Sequence, residues 1–223
     1  MSDANAAAKR GAAIEAAALV RSGMVVGLGT GSTAAYAIEE IGRRIAAAEV
    51  SDVVGIPTSS TAQRLAVQHG IPLGTLEDHP SVDVTIDGAD EIDPVRRVLK
   101  GAGGALLREK IVAARSAVWV LIVDPTKLVD RIGTRYALPV EVVTFGWRGH
   151  ADALRSLGAE AALRVRDGGS PYVTDEGHYI IDARFPHGIA DPESVVRALR
   201  DRPGVVETGL FLGFEPQVVV GRS

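Results

Sequence analysis

Cysteine is absent from the 223 residues, and its absence removes disulfides, thiolate metal ligands and any cysteine nucleophile together. No apolar run approaches the roughly 18–20 residues that a membrane span requires. The first residues, MSDANAAAKRG, lack the basic start and compact apolar stretch of a secretory signal. Clusters of basic residues are missing too. The formal charge is −4, with 24 Lys and Arg scattered among 28 Asp and Glu. Phosphate backbones are bound by clustered cations, so neither nucleic acid nor a membrane is expected as a partner. His69, His79, His150, His178 and His187 form no cluster in the sequence, which gives a zinc site little support. What remains is a cytoplasmic protein that takes a small molecule. Its hydrophobic fraction of 46% suffices for one large core or two smaller ones.

Along the chain, helical and strand patterns alternate. Ala6 to Val20 reads as an Ala-rich helix. Met24 to Leu28 reads as a buried strand, and Gly29 to Thr33 as a turn in which Ser32 or Thr33 is positioned to cap the next helix. Further strands are expected at Val53–Ile56, Val82–Ile86 and Ala117–Val123, with helices between them. Alternation of this kind predicts an α/β fold with a mostly parallel, Rossmann-like sheet flanked by helices. In such sheets ligands bind beyond the carboxyl ends of the strands. The unusual loops follow Leu28, Ile56, Ile86 and Val123, all at expected strand ends. From about Pro139 the order becomes βαββαβ, that of a smaller α+β, ferredoxin-like unit. The expected division is 1–135 plus a C-terminal strand at about 214–223 for the catalytic domain, and 136–213 for the second. Val218 to Val220 is expected to rejoin the first sheet.

Three loops carry residues suited to chemistry. Gly29-Thr30-Gly31-Ser32-Thr33 places two glycines and three hydroxyls before a helix, which lets backbone N–H groups surround an anion. With Ala34 it also fits the dinucleotide pattern G-x-G-x-x-A, but the second strand ends in Pro57-Thr58-Ser59-Ser60, without the acid that would hold a ribose hydroxyl. A P-loop is excluded because no lysine follows the glycines. Asp87-Gly88-Ala89-Asp90-Glu91-Ile92-Asp93 sets four carboxylates in seven residues. Such a run is costly unless solvated, hydrogen-bonded, near a cation or catalytic. An exposed acidic turn, a magnesium site and a working pair of acids all fit the residues alone. In the third loop, Lys100-Gly101-Ala102-Gly103-Gly104 precedes a helix carrying Arg108, Glu109 and Lys110.

Together these segments resemble the type A ribose-5-phosphate isomerase family. The resemblance rests on GLGTGSTA, DGADEID and KGAGGALLREKIVA in that order, on Lys127 in VDPTKLVD, on LPVEV from Leu138, and on PGVVETGLF near the C-terminus. It implies interconversion of D-ribose 5-phosphate and D-ribulose 5-phosphate in the non-oxidative pentose phosphate pathway, with no cofactor and no metal. Glu109 is implied as the base that moves a proton between the two carbons, and Lys100 as the stabiliser of negative charge on the substrate oxygen. Asp87 and Asp90 are implied in ring opening and in shuttling hydroxyl protons. Substrate contacts are implied for Thr30, Gly31, Ser32, Thr33, Asp87, Gly88, Ala89, Asp90, Lys100, Gly101, Ala102, Gly103 and Lys127. Lys9 also falls at a family lysine position, without an assigned role. One departure is Ala102, where the family often has glycine; a methyl group is tolerable there only if φ is negative. A homodimer or a dimer of dimers, formed through the second domain, is implied as well. A sugar-phosphate sensor, a CoA-transferase, an amino-sugar-phosphate deaminase and a nicotinamide oxidoreductase are the competing readings.

Overall fold

A computed structural model describes residues 3–221. Helix α1 spans Asp3–Ala17, followed by β1 (Val25–Leu28), α2 (Ser32–Ala46), β2 (Val54–Pro57), α3 (Ser60–Gln68) and β3 (Val82–Asp87). Two short strands come next, β4 (Glu91–Ile92) and β5 (Val98–Leu99), then α4 (Leu106–Ala114), β6 (Ser116–Val123) and a 3-10 turn at Pro125–Lys127. The remainder is β7 (Leu138–Val142), α5 (Trp147–Ser156), β8 (Glu160–Leu163), β9 (Tyr179–Arg184) and α6 (Pro192–Arg200), closing with β10 (Val205–Thr208), β11 (Leu210–Phe211) and β12 (Gln217–Val220).

Two compact units emerge. One holds the residues up to Ala89, Arg108–Lys127 and the chain from Phe214 onward; the other holds Asp90–Leu107 and Leu128–Gly213. The ends of the expected first domain, residues 1–2 and 222–223, lie outside the described residues.

In the first unit a five-stranded, wholly parallel sheet runs in the order β12-β6-β3-β1-β2. Its core combines Val26, Leu28, Val84, Ile86, Val120 and Ile122 from the strands with Ile38 and Ile41 of α2. Ala12, Ala13, Ala16 and Ala17 present the small face of α1 to that core, and side chains this short let a helix pack closely. As expected, the last strand rejoins this sheet, with Val218 to Val220 paired parallel to Leu121–Val123. One local expectation fails. Neither Ser32 nor Thr33 caps α2; Gly31 occupies the N-cap, at φ 108°, with no side-chain capping bond. The helix starts at Ser32, so both hydroxyls lie inside its first turn.

In the second unit β10-β7-β9-β8 form a four-stranded antiparallel sheet, joined in the βαββαβ order through α5 and α6. Leu138, Val140 and Val142 of β7, Ile181 and Ala183 of β9, Leu154 of α5 and Leu199 of α6 fill its core. Asp191 caps α6 by accepting from the Ser194 N–H at 2.9 Å, with Pro192 in the first turn. The single strand expected over Val205–Leu212 is split. Val205–Thr208 pairs with β7, whereas Leu210–Phe211 pairs with β5 in a separate three-stranded sheet, β11-β5-β4. Gly209 sits at the switch: its N–H donates to Pro139 O at 2.8 Å, and its carbonyl accepts from the Lys100 N–H at 2.9 Å.

Candidate active site

In the first unit the loops singled out in the sequence all follow the carboxyl ends of β2, β1, β3 and β6, which are adjacent strands of one parallel sheet. Sheet order therefore makes neighbours of them. Thr30, just beyond β1, has its hydroxyl 2.8 Å from Thr58 Oγ1 and 2.7 Å from Ser59 Oγ beyond β2. On the other side its N–H donates to Asp87 Oδ1 at 3.1 Å, and the Gly88 N–H donates to the same oxygen at 2.7 Å. Asp87 is fully buried at the end of β3. Such close seating requires Gly29, because a Cβ there would lie 2.5 Å from the Asp87 Cα. The second hydroxyl pair, Ser32 and Thr33, opens α2, where helix N–H groups and the positive end of the helix dipole favour an anion.

Lys9 joins that loop. Its side chain is 7% exposed, and Nζ stands 3.3 Å from Ser32 Oγ. Glu109 lies in the first turn of α4 and is 4% exposed. Val112, three residues on and so on the same helix face, packs with Ile56 and Val82 and fixes α4 to this sheet. Beyond β6, Asp124 shapes the turn that carries Lys127. Its buried carboxylate accepts from the N–H of Thr126 at 2.9 Å and from the Thr126 hydroxyl, while its carbonyl accepts from the Lys127 N–H at 3.0 Å. Thr30, Gly31, Ser32, Thr33, Asp87, Gly88, Ala89, Glu109 and Lys127 all belong to this unit.

Asp90, Lys100, Gly101, Ala102 and Gly103 belong to the second. There the Asp90 N–H donates to Leu99 O at 2.9 Å, and Asp90 Oδ2 accepts from the Ala102 N–H at 2.9 Å. The acidic loop and the glycine-rich loop are thus tied at β4 and β5. Lys100 is 3% exposed, with its ammonium 5.9 Å from the Phe211 ring centroid. Gly101 has φ 101°, which an L side chain rarely adopts, whereas Ala102 is not among the residues of positive φ. The methyl group of Ala102 is therefore accommodated without strain.

The four carboxylates of the acidic loop separate by environment. Glu91 is fully buried, and its oxygens accept from the N–H groups of Gly133, Arg135 and Tyr136, the last two at 2.5 and 2.7 Å. Asp93, 4% exposed, accepts from the Val95 and Arg97 N–H groups and pairs with the Arg97 guanidinium at 2.6 Å. Both are structural ligands of backbone. An exposed acidic turn does not describe this segment. Among the described residues no group of three or more His, Cys, Asp or Glu is arranged to hold a metal ion.

Four residues around the site were given no role by sequence reasoning: Lys9, Thr58, Ser59 and Asp124. Lys9 left a trace, because it shares helical spacing with Ala12, Ala13 and Ala16 and so falls on the buried face of α1. Thr58, Ser59 and Asp124 left only their place at strand ends.

Comparison with known proteins gives the family. The sequence model of the family "Ribose 5-phosphate isomerase A (phosphoriboisomerase A)" matches residues 54–223. The chain is 52% identical over 213 residues to ribose-5-phosphate isomerase A of Gloeobacter violaceus, covering 95% of this chain and 91% of that protein. It is 50% identical over 212 residues to that of Roseiflexus castenholzii, covering 95% and 90%. Among solved structures, a D-ribose-5-phosphate isomerase in complex with phospho-erythronic acid superposes with a TM-score of 0.92 at 41% identity, covering 96% of this chain and 93% of that one. Ribose 5-phosphate isomerase A of Methanocaldococcus jannaschii gives 0.90 at 42% identity, covering 97% and 95%. The chain belongs to the ribose 5-phosphate isomerase A family, whose reaction interconverts ribose 5-phosphate and ribulose 5-phosphate through an enediol.

Proposed function

We propose that Glu109 is the base of this isomerisation. The observation that carries the assignment is its burial in the first turn of α4, immediately beyond the glycine-rich loop. A carboxylate shielded from bulk water can take a carbon-bound proton and keep it for return to the neighbouring carbon. In the aldose-to-ketose direction Glu109 removes the proton from C2 of the open-chain aldehyde, and the electron pair moves to the carbonyl oxygen to give an enediolate. Glu109 then returns the proton to C1 as the C2 hydroxyl proton passes to the C1 oxygen, leaving a C1 hydroxyl and a C2 ketone. Lys100 offsets the charge that develops on oxygen. Asp87 and Asp90 handle ring opening and the hydroxyl protons, two tasks that suit carboxylates in different environments. Asp87 is buried beneath two backbone N–H groups, whereas Asp90 is half-buried and accepts from one.

The remaining contacts follow from charge and donor geometry. Thr30 to Thr33, the α2 N-terminus, Lys9 and Lys127 supply N–H, hydroxyl and ammonium donors for the phosphate and sugar hydroxyls. Gly88, Ala89 and Gly101 to Gly103 bring backbone close to the substrate. The relative solved with phospho-erythronic acid binds a phosphorylated hydroxy acid, a ligand of the class these donors suit. The scheme uses a base and an oxyanion stabiliser and calls for no metal ion. We place the enzyme in the cytoplasm, as a homodimer or dimer of dimers through residues 136–213; light scattering on the purified protein gives the mass that tests the assembly.

The deciding experiment is ribulose 5-phosphate formation from ribose 5-phosphate, with and without EDTA, for wild type and Glu109→Gln. The variant should bind substrate with little change in KM and lose roughly 10²–10⁴-fold in kcat, the contribution of a positioned general base. Near-wild-type turnover in Glu109→Gln removes Glu109 from the mechanism. Loss of wild-type activity in EDTA contradicts the metal-free route.

A further inference from the structure

Within the second unit, the glycine-rich loop is held from outside by a side chain that takes no part in the scheme above. Arg164 follows β8, and its side chain is only 14% exposed. Its guanidinium forks onto Asp182 of β9, with Nε donating to Oδ2 at 2.8 Å and Nη2 to Oδ1 at 2.5 Å. The remaining nitrogen, Nη1, donates to two successive backbone carbonyls, Gly101 O at 3.0 Å and Ala102 O at 3.1 Å. Tyr172 adds a third contact, its hydroxyl donating to Gly103 O at 3.3 Å, and Arg164 lies over its ring at 5.8 Å. Three consecutive carbonyls of the loop are thereby occupied from one side.

Peptide geometry converts this into an arrangement of donors. In a trans peptide the C=O and the following N–H point in opposite directions. Carbonyls 101 and 102 drawn to one guanidinium nitrogen therefore turn the N–H groups of Ala102 and Gly103 away from it. For Ala102 the result is visible, since its N–H donates to Asp90 Oδ2 at 2.9 Å. Left unrestrained, a segment with glycine at 101, 103 and 104 would sample both signs of φ and many peptide orientations. An Arg already committed to a carboxylate is well suited to prevent this, because its planar fork is pre-organised and charge-assisted bonds are the strong ones.

We propose that Arg164, anchored by Asp182, is a positioning residue for the isomerisation. It fixes the peptide planes of the Lys100–Gly103 loop so that the Ala102 amide holds the Asp90 carboxylate while the Gly103 amide serves, with Lys100, as a preformed donor for the oxygen on which negative charge develops. The inference rests on the assignment of that loop to the substrate. Donors set in place before reaction stabilise the transition state more than the ground state. Losing the clamp should therefore lower kcat while leaving KM nearly unchanged.

The test is steady-state isomerisation by wild type, Arg164→Ala and Arg164→Lys, with melting temperatures measured alongside and guanidinium chloride added at concentrations well below denaturing. Arg164→Ala should lose at least about tenfold in kcat, a modest share of what one oxyanion donor contributes, and guanidinium should restore part of the loss. A merely structural role predicts the reverse, since guanidinium weakens a destabilised fold. Arg164→Lys keeps the charge and the aliphatic stem but not the fork, and should keep its melting temperature while also losing about tenfold in kcat. Wild-type kcat in Arg164→Lys overturns the proposal, including the case in which Arg164→Ala fails to fold. So does a loss in Arg164→Ala that guanidinium does not relieve, or one that falls on KM alone. An inactive wild type fails the isomerase assignment instead, and the clamp loses its function with it.

Discussion

Lys9 illustrates how a single side chain can belong to a site that its sequence surroundings conceal. It sits in an alanine-rich helix, 21 residues before Thr30, yet the packing of α1 brings its ammonium to 3.3 Å from Ser32 Oγ. Its 7% exposure argues against an ordinary solvated lysine, because lysine is rarely buried without a partner. An ammonium so placed attracts phosphate equally in ground and transition states. Lys9→Ala should therefore raise KM for ribose 5-phosphate about tenfold, or about 1.4 kcal/mol of binding, with kcat little changed. Steady-state kinetics read this directly, and an unchanged KM would remove Lys9 from the phosphate contacts. The acidic loop teaches a related lesson. Asp87, Asp90, Glu91 and Asp93 are alike as carboxylates in the sequence, and their different environments depend on which backbone N–H groups arrive from elsewhere in the chain. Thr30 lies 57 residues from Asp87, and Gly133 lies 42 from Glu91. No local pattern encodes those distances.

Elements differ in how clearly the sequence declares them. The long, apolar β6 and the parallel strands β1 and β3 stand out as buried runs ending in unusual loops, and α6 begins at Pro192 after an Asp cap. By contrast β4, β5 and β11 contain two residues each, too few for any periodicity to register. They pair with one another in the sheet β11-β5-β4, and that pairing breaks the strand expected over Val205–Leu212. These short strands nevertheless support the glycine-rich loop, since Lys100 follows β5 and bonds to Gly209 beside β11. Their stability should depend on Glu91, the buried carboxylate of β4 that gathers three backbone N–H groups from the turn before β7. Amide replacement gives up the charge and turns an NH2 toward donors that need an acceptor. Glu91→Gln should lower the unfolding free energy by about 1.5–3 kcal/mol, the range for hydrogen bonds to charged groups. Urea denaturation would measure it; a variant within about 0.5 kcal/mol of wild type, the scale of an ordinary surface substitution, would show that the turn is held by other contacts.

For the whole molecule, the alternation of strands and helices and the later βαββαβ order sufficed to indicate a parallel sheet plus a ferredoxin-like unit, because hydrophobic period and chain order are local properties. What stayed out of reach was ionic balance, which is set by burial. Glu141 of β7 shows this. It lies opposite Glu207 in the strand register, is 1% exposed, and its Oε1 accepts from Thr174 Oγ1 at 2.9 Å and stands 3.0 Å from His178 Nδ1. Burial lifts its carboxyl above the usual 4.5; the bonds from Thr174 and His178 pull it down without cancelling that effect, and Glu176 adds to the rise. The folded protein thus holds this proton more tightly than the unfolded chain does. The stability it contributes is complete below the ordinary glutamate value and is lost as pH climbs through the folded one. His150 acts in the opposite sense, since burial and Arg202 lower its pKa, and its contribution is lost as pH falls below 6.5. Both groups are present in the wild type, so a single pH profile mixes them. Subtracting the profile of Glu141→Gln, which keeps an acceptor oxygen and His150 but cannot ionise at 141, isolates the first. The variant should gain unfolding free energy relative to wild type as pH rises from 4 toward 8, by urea denaturation at each pH, and two parallel profiles would mean that Glu141 keeps one charge state across that range.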